Sequence, residues 1–133
     1  KVQCDAAAMF SPDMFERFVV PALTRQCDWL DRDMFHLDGT QCICHLDLLL
    51  SIDSLQAIEW TPQAGLEPGP DPRWFDLYRR ILDAGKGVQV MSVTEETLLP
   101  LLDAIGGKGV YCMCQFDDAA EVERMLKAAE PYR

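Results

Sequence analysis

Basic residues are scarce in this chain: 12 Lys and Arg stand against 22 Asp and Glu, for a formal net charge of −10. Such a balance repels the phosphates of nucleic acid and the anionic face of a cytoplasmic membrane, which argues against both as partners. Long hydrophobic runs are missing, so no membrane span is expected, and no secretion signal opens the chain. No nucleotide fingerprint is found either. Gly106-Gly107-Lys108-Gly109 ends a helical pattern and precedes a strand pattern, whereas a phosphate cradle follows a strand and opens a helix, so this run reads as a helix C-cap. The first residue is Lys1 rather than methionine, which suggests a trimmed chain or one piece of a longer protein.

What is present is apolar and cysteine-bearing. At 133 residues and 49% hydrophobic content, residues 1–133 read as a single domain able to bury a substantial core. The cysteines are Cys4, Cys27, Cys42, Cys44, Cys112 and Cys114, two pairs of them spaced C-x-C. Without a secretion signal, they favour reduced thiols and a cytoplasmic location over a disulfide framework.

Strand and helix patterns alternate along the chain. Val2 to Asp5 reads as a short strand, and Ser11-Pro12 as a helix start, with Phe15, Phe18, Val19, Ala22, Leu23 and Leu30 on one face and a kink at Pro21. Asp33 to Gly39 reads as strand, about Cys42 to Ser51 as helix, and Leu55 to Trp60 as strand. A Pro/Gly-rich stretch to Pro72 has the length and stiffness of a lid or binding loop. Asp71-Pro72 opens a third helix that ends at Gly85, and Gly87 to Val93 reads as strand. Thr94 caps a fourth helix with Pro100 inside it, Gly109 to Phe116 reads as the last strand, and Asp117 or Asp118 opens the closing helix. This alternation predicts an α/β fold with parallel strands joined by right-handed crossovers. Two architectures fit it: an open doubly wound sheet, or consecutive units of a (β/α)8 barrel, which five strands cannot close alone.

Polar groups recur where these strands end: Asp5, His36 with Asp38, Glu59 with Trp60, Ser92, then Cys112, Cys114 and Gln115. Parallel α/β folds assemble their sites at that rim. His36 and Asp38, two apart on a strand, share a face. With a distal cysteine, Cys112 or Cys114, they could hold zinc with one position open; without metal, a His/Asp pair serves as general acid and base. Glu59 joins the catalytic candidates, while Asp5, Trp60 and Gln115 are candidates for substrate binding. The bland readings are a structural histidine, an aspartate bracing the Gly39 turn, cysteines acting as small hydrophobes and a core tryptophan. Cys42-Ile43-Cys44-His45 is a weaker metal motif, since only Cys42 and His45 share a helical face, and His45 reads as a packing or capping residue.

Ser11-Pro12-Asp13-Met14-Phe15 with Pro21 downstream, then His36-Leu37-Asp38-Gly39, then Ala57-Ile58-Glu59-Trp60-Thr61-Pro62, resembles the C-terminal part of the uroporphyrinogen decarboxylase superfamily, near the branch of the corrinoid-dependent methyltransferases. The resemblance runs from about Val2 to the end. It implies the C-terminal portion of a TIM (β/α)8 barrel. It also implies zinc held by a His-x-Cys pair and a later cysteine, activating a thiol that accepts a methyl group from a corrinoid. Here His36 matches the histidine, Asp38 stands in place of the first cysteine, and Cys112 or Cys114 matches the second; the hard carboxylate weakens the case for zinc. The arginine-rich substrate-binding segment of the decarboxylases is not in this chain, which leaves decarboxylation the less supported branch. The resulting expectation is a fragment of a methyl-transferring enzyme acting on a small-molecule or corrinoid-protein substrate. The alternatives are a metal-free tetrapyrrole decarboxylase-type enzyme in which the His/Asp pair handles protons, and a non-catalytic domain that forms a homodimer through its exposed inner sheet face.

Overall fold

A computed structural model describes residues 1–133. Five parallel strands form one sheet: β1 (Val2–Gln3), β2 (Phe35–Asp38), β3 (Ala57–Thr61), β4 (Gly87–Val93) and β5 (Val110–Cys114). They lie side by side in chain order, β1-β2-β3-β4-β5, so the expected α/β class with parallel pairing is what the chain adopts. The sheet is open, with β1 and β5 as free edges. Every crossover steps in the same direction, and right-handed crossovers of that kind put their helices on one side.

Burial separates the two faces. Val2, Phe35, Leu37, Ile58, Trp60, Val88 and Val90 alternate along the strands, are all buried, and join the helices in one core of 26 residues. Between them, Gln3, His36, Glu59, Gln89 and Tyr111 are successive register partners, one per strand, and form a single polar row across the other face. No helix is long and apolar enough to cross a membrane.

The helices follow their caps. Ser11 accepts from the Met14 N–H and opens α1 (Pro12–Met14). A π-helical turn over Phe15–Val19 joins α1 to α2 (Val20–Trp29), where Pro21 sits in the first turn. The expected kink is therefore a widened turn ahead of a proline that has no N–H to donate. The wider turn changes the angular spacing within it, so Phe18, three residues after the buried Phe15 and expected on the apolar face, lies exposed. The helix expected from Cys42 is a 3-10 segment, Thr40–His45, followed by α3 (Leu46–Leu50). Asp71 caps a 3-10 turn, Pro72–Trp74, that leads into α4 (Phe75–Asp83), whereas α5 (Glu95–Ile105) and α6 (Ala119–Ala129) fall where their caps predict, with Pro100 inside α5. Gly106 ends α5 at φ +77°, as the C-cap reading requires.

The Pro/Gly-rich loop is tied down. Tyr78 donates to the Gly69 carbonyl at 2.6 Å, and Trp74 Nε1 lies 3.1 Å from the Pro68 carbonyl. A Cβ on Gly69 would lie 2.6 Å from the Met91 carbonyl oxygen, so only glycine lets the loop lie this close to β4. Beside that contact the β4–β5 register shifts between Val90 and Val93, and Ser92 takes φ +62°.

Candidate active site

The polar row is organised around Glu59 at the middle of β3. Its side chain is 4% exposed, and both carboxylate oxygens are engaged. Oε1 accepts from Lys1 Nζ at 2.7 Å, from His36 Nδ1 at 2.8 Å and from Thr61 Oγ1 at 3.2 Å, while Oε2 accepts from Gln89 Nε2 at 3.0 Å. Burial pushes this carboxyl upward, but the hydrogen bonds and charges of Lys1 and His36 outweigh it and hold it below the usual range. An ionised carboxylate only accepts hydrogen bonds, so His36 Nδ1 carries the proton that joins the two side chains. That leaves His36 Nε2 without a partner in the chain. It faces Asp38 Oδ2 at 3.9 Å, beyond hydrogen-bonding distance.

Of the residues predicted for the site, the structure brings together His36, Glu59 and, more loosely, Asp38, whose side chain is 61% exposed. The acid that grips the imidazole is Glu59 on the neighbouring strand rather than Asp38 two residues on. Register decides this: His36 and Glu59 are directly paired across β2 and β3.

Other expectations are corrected. Cys112 pairs in register with Val90, and Tyr111 with Gln89, so Cys112 and Cys114 belong to the helix-covered face, opposite His36. Burial pushes the Cys112 thiol up to about 11, and both cysteines line an apolar groove beneath α6. His36, Asp38, Cys112 and Cys114 therefore do not make one ligand set, and no three His, Cys, Asp or Glu side chains converge as a metal ion requires. Trp60 is fully buried against Trp74, with ring centroids 5.0 Å apart, and belongs to the core rather than to a substrate pocket. Asp5 is exposed in the turn after β1, and Gln115 is exposed beyond the end of β5; neither reaches the imidazole–carboxylate pair.

His45 packs as expected: its ring stacks on Phe15 at 4.1 Å, and Nε2 lies 3.0 Å from the Ala7 carbonyl. Cys42 is buried beside it in the core.

No protein-family model, curated protein or solved structure matches the chain. The geometry therefore carries the functional reading. Lys1, Thr61 and Gln89 are the site residues that sequence reasoning missed. Gln89 had a signal, as a polar side chain set between Val88 and Val90 at the apolar start of its strand. Lys1 and Thr61 had none, because their roles depend on the Glu59 carboxylate lying between them.

Proposed function

We propose that the chain is the C-terminal portion of a uroporphyrinogen decarboxylase-like (β/α)8 barrel enzyme, and that His36 exchanges a proton with a small substrate held against the polar sheet face. Strand order supports the barrel part of this reading. Consecutive barrel units run side by side without reversal, with helices outside and the opposite faces of the strands turned inward, and this sheet has that order. Five strands form one wall of such a barrel.

The observation that carries the chemistry is the 2.8 Å bond from His36 Nδ1 to Glu59. A buried carboxylate that holds one imidazole nitrogen protonated leaves the other with a free lone pair, fixed in direction, which is what a general base needs. His36 Nε2 takes the proton, the imidazolium is stabilised by Glu59, and the same nitrogen returns the proton later in the cycle. Asp38 beside Nε2 favours a substrate group that donates hydrogen bonds. Methyl transfer through zinc has less support, because the thiols the resemblance supplies lie on the other face.

The test is a titration of the isotope-labelled chain with a corrinoid, hydroxocobalamin, and separately with uroporphyrinogen, read by NMR. The proposal expects shifts concentrated at His36, Gln89 and Tyr111, and their loss in His36→Ala. Shifts confined to the helix face would overturn it, as would none with either compound. Tight zinc retention that disappears in His36→Ala would instead favour methyl transfer.

A further inference from the structure

Two unspent acceptors of the site face one another. With Nδ1 donating to Glu59, His36 Nε2 presents a lone pair, and Asp38 Oδ2 stands 3.9 Å from it, with no donor of the chain bonded to either. The gap is too long for a hydrogen bond between the two. It suits a third atom. A nitrogen set about 2.8 Å from each would see them about 90° apart, within the bend hydrogen bonds tolerate of the tetrahedral angle between two N–H bonds of an ammonium group. Charge points the same way: Lys1 offsets Glu59, whereas Asp38 pairs with no Lys or Arg, so the acceptors carry one uncompensated negative charge.

A pocket of about 200 Å³ opens beside Asp38, lined by Ala8, Asp38, Gly39, Gln41 and Gln63. These residues come from the C-terminal ends of β1, β2 and β3 and the segments that follow them. Gln63 is held rigidly across two of those segments: its Oε1 accepts from the Thr40 N–H at 2.7 Å and its Nε2 donates to Thr40 Oγ1 at 2.9 Å, which leaves one N–H to give. The lining is one carboxylate and two carboxamides with no cation, so it offers nothing to a carboxylate or a phosphate. Because β1, β2 and β3 are neighbours in the sheet, the pocket's walls are complete within the chain, and closing the sheet into a barrel would leave them at its mouth, where such folds bind ligands.

We infer that His36 Nε2 and Asp38 form a receptor for a primary ammonium group, with the polar remainder of a small amine seated against Gln41 and Gln63. The ammonium gives one N–H to the imidazole and one to the carboxylate, and its charge answers that of Asp38. This rests on the assignment of the His36 proton to Nδ1 in the proton-exchange reading, and on nothing else in it.

Titration of the isotope-labelled chain with ethanolamine at fixed ionic strength, read by NMR, tests it. The expected result is saturable shifts at Asp38, Gly39, Gln63 and the His36 ring, half complete at millimolar concentration, as the few atoms of such a probe allow. Tetramethylammonium, which has the charge without an N–H, and acetate are each expected to bind about tenfold or more weakly. Asp38→Asn, at an exposed position, is expected to weaken ethanolamine about fivefold or more, and so is His36→Ala. The absence of saturable shifts overturns the inference, as does equal binding of tetramethylammonium or an affinity that Asp38→Asn leaves unchanged. The His36 tautomer in the free chain separates the two claims. With Nδ1 protonated and no ethanolamine bound, this inference alone fails; with Nε2 protonated, the proton-exchange reading fails and the second acceptor goes with it.

Discussion

Glu59 accepts from Lys1, His36 and Thr61 on one oxygen and from Gln89 on the other, so truncating it strands several donors at once. Glu59→Ala is expected to destabilise the fold by about 2–3 kcal/mol in urea unfolding, the range for leaving buried polar groups unpaired. The carboxyl also ties stability to pH. Its folded-state value lies below the ordinary one, so it contributes stability above the unfolded value, about 4.3, that is lost as pH falls through the folded value. Stability measured between pH 7 and pH 3 should therefore decline more steeply for the wild type than for Glu59→Gln. Ser92 is a second residue with a cost of its own. A left-handed φ of +62° is unfavourable for any side chain, so Ser92→Gly is expected to raise stability by about 1 kcal/mol in the same assay.

At the scale of elements, the loop before α4 and the bulged end of β4 hold each other in place through Gly69. Gly69→Ala would drive a methyl group into the Met91 carbonyl and is expected to cost about 1–3 kcal/mol. It should also speed amide exchange at the end of β4, readable by hydrogen–deuterium exchange. The elements themselves were legible because their signals are local: Ser11-Pro12, Asp71-Pro72 and Asp118 cap helices in the structure as their residue types require. Period-two alternation likewise placed His36 and Asp38 on one face. Pairing between strands was not legible. Whether His36 meets Asp38 or Glu59, and whether Cys112 faces His36 or the helices, depends on register, which no short stretch of chain records. The π turn was hidden for a related reason: Pro21 announces a disturbance but not how the chain absorbs it.

For the whole molecule, the division between a buried helix-covered face and a polar face organised around one imidazole–carboxylate pair is the central claim. The 26 core residues form one cluster that draws on β1 to β4, with Val110, Cys112 and Cys114 of β5 packed against it. The polar row lies outside that cluster, so its side chains can be changed singly without emptying the core. The most direct measurement is a long-range proton–nitrogen NMR spectrum of the two histidines at pH 7, for the wild type and for Glu59→Gln. The account expects His36 protonated at Nδ1 in the wild type, with that proton slow to exchange, and expects the signature to be lost in Glu59→Gln while His45 is unchanged. A His36 protonated only at Nε2, or a spectrum that Glu59→Gln leaves as it was, would contradict it.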